Sequence, residues 1–134
     1  MKALGRHLVA DFHGCASDLN DPELVVSTLV RACEVAGATV KECTRHHFSP
    51  YGVTAVVIIA ESHLAIHTWP EYRFAAVDLF TCGTDVDTMK AFEFIRTALK
   101  ASRVELQDLR RGIMSDGETA GRESPCPPKI RVVA

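Results

Sequence analysis

The chain has 134 residues, 47% of them apolar, which is the size of one compact domain able to bury roughly two thirds of its unfolded surface. Fifteen Lys and Arg against 17 Asp and Glu leave a formal net charge of -2, and the basic residues are scattered rather than striped, so no field suited to a nucleic-acid backbone is present. The longest apolar run, AVVIIA at 55–60, falls far short of the roughly 20 residues that cross a bilayer, and Asp11 interrupts the N-terminal segment before a signal-peptide core develops; the sequence reads as cytoplasmic.

Residues 6–13, RHLVADFH, alternate loosely between polar and apolar and predict a first strand ended by Gly14. The plainest helix signals come next: Asp21 as N-cap, Pro22 at the first helical position, apolar residues at Leu24, Val25, Leu29 and Ala32, and a stop at Gly37. Residues 38–48 and 53–60 are rich in Val, Ile and Thr, and SPYG at 49–52 carries the Pro and Gly of a turn, which predicts a hairpin. Two more strands are expected at about 63–69 and 73–81, parted by Pro70 and Glu71. A second helix over about 87–100 starts near Asp85 or Asp87 and sets Met89, Phe92, Ile95 and Leu99 on one side. A last strand is expected at 103–109. From Gly112 onward the composition shifts to Gly, Ser, Pro and charge, so the folded domain is drawn at 1–112 and a mobile tail at 113–134.

This order of elements predicts an α+β fold, a largely antiparallel sheet with two helices on one face. Because VTAVVIIA at 53–60 is apolar on both faces, the second face needs a cover, and a homodimer packed sheet against sheet supplies one. The five cysteines, Cys15, Cys33, Cys43, Cys82 and Cys126, are odd in number and lack CxxC spacing, which predicts neither a disulfide framework nor a zinc ribbon.

Chemistry-bearing residues crowd into 60–83, AESHLAIHTWPEYRFAAVDLFTCG. His63 and His67 lie four apart, on one face of a strand, yet bring no third ligand and no interior glutamate of a metalloprotease helix, so no metal is expected. Ser62 offers a hydroxyl at a strand junction, His67 a base, and Cys82 a proton, since an ordinary imidazole (pKa ~6.5) is largely neutral at pH 7 and an ordinary thiol (~8.5) largely protonated. Ser62 and His67 are an odd number of residues apart and fall on opposite faces of an ideal strand, so contact between them requires an irregularity near 61–63. By spacing alone, Phe48 and Trp69 are as readily core as ligand platform.

Four motifs, LGRHLVADFHGC at 4–15, FSPYGVT at 48–54, ESHLAIHTWPEY at 61–72 and AAVDLFTCG at 75–83, together resemble the prokaryotic S-adenosylmethionine decarboxylase proenzymes, in register over about residues 1–112. The resemblance implies that family's sandwich fold and a self-processing step. In that step the Ser62 hydroxyl attacks the Glu61 carbonyl, His67 takes the serine α-proton, and the chain parts into a β chain of 1–61 and an α chain of 62–134 headed by a pyruvoyl group. It further implies a carboxy-lyase that forms a Schiff base with S-adenosylmethionine, with Cys82 as proton donor and the aminopropyl donor of spermidine biosynthesis as product. Thr54 stands where relatives usually carry a serine that assists processing. Phe48 and Trp69 are implied to sandwich the adenine, and Glu71 to accept the ribose hydroxyls. Implied partners are the substrate and a second copy, giving a homodimer of αβ units with no metal and no diamine requirement. One departure stands out: PEYRF at 70–74 replaces the usual PEYGY, so Arg73 adds a cation beside the implied pocket. Two alternatives stay open, a pyruvoyl-dependent arginine or ornithine decarboxylase on the same scaffold and a non-processing dimer that binds or holds a metal.

Overall fold

The computed structural model describes residues 2–115, 130, 132 and 133. Six strands and two helices run in the order β1 (Lys2–His13), α1 (Pro22–Val35), β2 (Val40–His47), β3 (Val53–Ile59), β4 (Ser62–Trp69), β5 (Phe74–Thr81), α2 (Thr88–Leu99) and β6 (Arg103–Met114). The strands form one sheet of order β2-β3-β4-β5-β1-β6, and every pairing is antiparallel. The α+β architecture expected from the sequence is therefore present, and its sheet is wholly antiparallel. No described helix is long and apolar enough to cross a membrane.

Local chemistry explains the boundaries. The Asp21 side chain accepts from the Glu23 amide and Pro22 occupies the first turn, so α1 starts with one orphan donor satisfied and one removed. Gly37, at φ 81°, lets the chain leave the helix in the left-handed region. Asp87 caps α2 through the Lys90 amide, and Lys100 closes it at φ 55°.

The sheet's two faces are chemically distinct because side chains alternate along each strand. Leu8, Ala10 and Phe12 of β1, Val53, Ala55 and Val57 of β3, and Ala75, Val77 and Leu79 of β5 are buried and join Val25, Leu29, Phe92 and Ile95 of the helices in one core. The opposite face is open and carries His7, Thr54, His63, His67, Trp69, Asp78 and Phe80. It also keeps Ile58 42% exposed one residue from the end of an apolar strand.

Three expectations need correction. Met89 is 51% exposed, and the buried side of α2 is Thr88, Ala91, Phe92, Ile95 and Leu99, because a start at Thr88 rotates Met89 off the 3.6-residue stripe. The last strand runs through Met114, well past 109, since β1 begins at Lys2 and supplies ladder partners as far as Lys2↔Met114. The strand also crosses the tail boundary expected at 112; residues 116–129 lie outside the described residues.

Candidate active site

β3 and β4 are joined by the two-residue turn Ala60–Glu61, with Ile59 paired to Ser62. Glu61 has φ 75° while Ala60 does not, the sign pattern of a type II turn, which favours glycine at that place, rather than of the primed turns that suit two-residue hairpins. A non-glycine residue held there stores on the order of 1–2 kcal/mol. The bulge expected near 61–63 is absent, since the β3–β4 register runs unbroken to Ile59↔Ser62 and the departure from regular backbone is confined to the turn. It falls at Glu61, whose carbonyl belongs to the Glu61–Ser62 peptide, and Ser62 is the first residue of the regular strand.

Register places Cys82 at the same junction. The β4–β5 ladder ends at the pair His63↔Phe80; Ser62 precedes His63 by one residue, and Cys82 follows Phe80 by two, just beyond Thr81 where β5 ends. Cys82 is half-buried at the end of β5. The other thiols differ in kind: burial pushes Cys15 up to about 11 against a smaller opposing pull from Arg73, and burial followed by the nearby Cys43 and Glu34 takes Cys33 to about 11 as well. Those two are protonated packing groups. Cys15, Cys33, Cys43 and Cys82 are all free among the described residues.

His67 is not brought to Ser62. It lies five residues along β4, about 17 Å at ~3.3 Å per residue, and on the opposite pleat phase. Its exposed ring has Nδ1 3.0 Å from Thr54 Oγ1, across the Thr54↔His67 pair. The aromatic residues gather at this second end of the sheet. Trp69 pairs with Phe74 and the rings lie 5.4 Å apart, while the Phe48 amide donates to the Gly52 carbonyl at 2.8 Å. Phe48 and Trp69, 47% and 41% exposed, therefore flank Gly52 one strand to either side, roughly 10 Å apart by strand spacing. Gly52 at φ 109° leaves that gap without a side chain. Glu71 is exposed in the 3₁₀ turn Pro70–Tyr72 that follows Trp69.

Arg73 closes that turn at φ 52°, the left-handed region in which glycine is cheapest. Its Nε donates to the Cys15 carbonyl at 3.3 Å, and its own carbonyl accepts from the Cys15 amide at 2.9 Å. The cation is thus tied to the loop after β1.

Two residues not singled out from the sequence, His7 and Asp78, join His63. Asp78 Oδ1 accepts from His63 Nε2 at 2.8 Å and from His7 Nε2 at 3.2 Å. His63 and His67 share a face but no common ligand position. Among the described residues His63 groups instead with His7 and Asp78. The sequence signal for Asp78 was a carboxylate inside the apolar run AAVDLF; nothing in the sequence paired it with position 7.

The family model for S-adenosylmethionine decarboxylase matches residues 6–112. S-Adenosylmethionine decarboxylase proenzymes of Thermotoga maritima and Caldicellulosiruptor saccharolyticus are 54% and 49% identical to the chain, each alignment covering 84% of it and 87% and 92% of the relative. The crystal structure of the adenosylmethionine decarboxylase of Aquifex aeolicus VF5 superposes with a TM-score of 0.79 at 37% identity, covering 89% of this chain and 99% of that one. The Trypanosoma brucei AdoMetDC-delta26 monomer shares the fold, with a TM-score of 0.56 at 16% identity over 75% of this chain and 44% of that one. The chain belongs to the S-adenosylmethionine decarboxylase family.

Proposed function

We propose that the chain is a self-processing, pyruvoyl-dependent decarboxylase that releases CO2 from S-adenosylmethionine and so makes the aminopropyl donor for spermidine synthesis. The observation that carries this reading is that Ser62, a strained Glu61 and Cys82 all lie at the same end of the β4–β5 pair. These residues suit the making of a pyruvoyl group. The Ser62 hydroxyl adds to the Glu61 carbonyl and the peptide nitrogen departs, turning amide into ester. Loss of the serine α-proton then expels the Glu61 carboxylate, which ends the chain of 1–61. Water converts the dehydroalanine left at 62 to a ketone and releases ammonia. When present, that ketone supplies an electron sink for the carbanion left by CO2. Cys82 then holds the proton that the product carbon requires.

His67 is the processing base, and for its Nε2 to take a proton, Nδ1 must carry the hydrogen and donate it to Thr54 Oγ1. About 17 Å of strand separates it from Ser62 in its own chain, so a second copy delivers it. Two sheets packed open face to open face, in opposite directions, bring the His67 end of one over the Ser62 end of the other and cover Ile58. Phe48, Trp69 and Glu71 ride with His67 and hold the adenine and ribose.

Co-expression tests both points. Chains carrying Ser62→Ala and chains carrying His67→Ala are each expected to stay intact when made alone. Made together, a fraction of the His67→Ala chains is cut into pieces of 1–61 and 62–134, read by denaturing mass spectrometry. Failure of the mixture to cut, with both chains folded and associated, rejects delivery by the second copy. A purified wild-type protein that never cuts rejects the enzyme itself. Release of CO2 from arginine or ornithine but not from S-adenosylmethionine would assign the substrate to the alternative amines.

A further inference from the structure

The two histidines on Asp78 sit in a built arrangement. His63 of β4 and His7 of β1 both lie directly across from Phe80 of β5, one on each side, and Asp78 lies one step along β5 on the same face. The Phe80 ring packs edge-on against His7 at 5.3 Å and faces the Arg111 guanidinium at 5.5 Å. It also lies over Gly5, where a Cβ would come within 2.8 Å of its Cζ, so the ring has little room to move. A carboxylate only accepts, so both Nε2 atoms carry the hydrogens given to Asp78. The Arg111 Nη1, itself only a donor, stands 3.4 Å from His7 Nδ1 and holds His7 in that tautomer. With those hydrogens in place the three side chains form a clamp of two histidines on one carboxylate.

What the clamp holds is the residue next to Ser62. In the uncut chain, position 62 is fixed from two sides, by the Ala60–Glu61 turn and by the pairing with Ile59. Once the bond before it breaks, position 62 becomes a free chain end of the kind that frays. His63 is then its first side-chain anchor, and the anchor is made to β5, the strand that leads directly into Cys82.

We propose that Asp78, with His7 beside it, is a positioning residue for decarboxylation: through His63 it keeps the chain end made at residue 62 in line with Cys82 after cleavage. This rests on the proposed function above. A misplacement of about 1 Å at reacting atoms can cost on the order of 100-fold in rate, so the clamp has consequence although none of its members is assigned a proton in the reaction.

The test separates the clamp from the enzyme. Wild-type protein must first cut itself and turn over S-adenosylmethionine; if it does not, it is the functional reading that fails. Asp78→Ala is then expected to cut to the wild-type extent, judged by mass, while kcat falls at least 10-fold and KM stays within about twofold. Asp78→Asn keeps an acceptor oxygen and should recover most of the lost kcat, and His63→Gln, which keeps an N–H donor, should stay near wild type. The double variant His63→Ala, Asp78→Ala should be no slower than either single one. The proposal is overturned if Asp78→Ala retains full kcat, if it lowers cleavage in step with kcat, or if the double variant shows the product of the two single losses. Should Asp78→Ala fail to fold in a thermal melt, His63→Ala against His63→Gln gives the same comparison, and equal kcat in those two also overturns it.

Discussion

The proposed reaction uses Ser62 and Cys82 at different times, and single substitutions should show it. Ser62→Ala removes the oxygen that accepts the Glu61 acyl group, so the chain is expected to remain one mass and to be inactive. Cys82→Ala leaves that oxygen in place; cleavage should proceed while turnover drops by about 100-fold or more, the usual worth of a positioned acid. Steady turnover by Cys82→Ala would remove the thiol from the mechanism. Both residues drew notice in the sequence by their crowding into 60–83, and their roles there came from the family resemblance of the motifs around them. His7 and Asp78 were not legible as partners. Position 7 reads as an ordinary polar place in an alternating strand, and only the β1–β5 register sets it opposite Phe80, two residues from Asp78 and on the same face. Arg73 was legible as a departure, but its partner was not: with left-handed backbone at 73, the side chain donates to the Cys15 carbonyl.

Among elements, the β3–β4 hairpin matters most, because a turn that favours glycine has glutamate in its positive-φ position. Glu61→Gly, placed in an uncleavable Ser62→Ala background, should raise unfolding stability by about 1 kcal/mol, measured by urea denaturation. No gain would mean that the turn holds no strain. The helices show how far local signals reach. Asp21, Pro22 and Gly37 fixed α1 closely, since caps act through atoms two or three residues away, and Asp21→Ala should cost about 1 kcal/mol in the same measurement. Met89 was misplaced because a moderately apolar stripe allows two rotations of α2 about its axis, and the packing of Phe92 and Ile95 into the core selects one. The true end of β6 escaped sequence reading for a similar reason: RRGIM carries no strand pattern of its own and is held by the first residues of β1.

At the scale of the whole molecule, one face of the sheet is sealed by two helices and the other carries nearly all of the chemistry on an open surface. Sedimentation of the purified protein should give twice the chain mass, and Ile58→Asp, on the open face, should shift it toward the single-chain mass and slow cleavage together. A dimer that dissociates with cleavage unchanged would return His67 to its own chain's site. The amino-acid sequence by itself determined the α+β class, the extent of α1 and the hairpins, because each depends on periodicity, caps or turns within a few residues. Tertiary structure alone decided that Ser62 and Cys82 lie at one end of the β4–β5 pair while His67 lies toward the other, and that Asp78 holds two histidines from two strands. Those relations depend on ladder register between segments up to about seventy residues apart, which hydrogen bonding and the buried face fix together and no local pattern encodes.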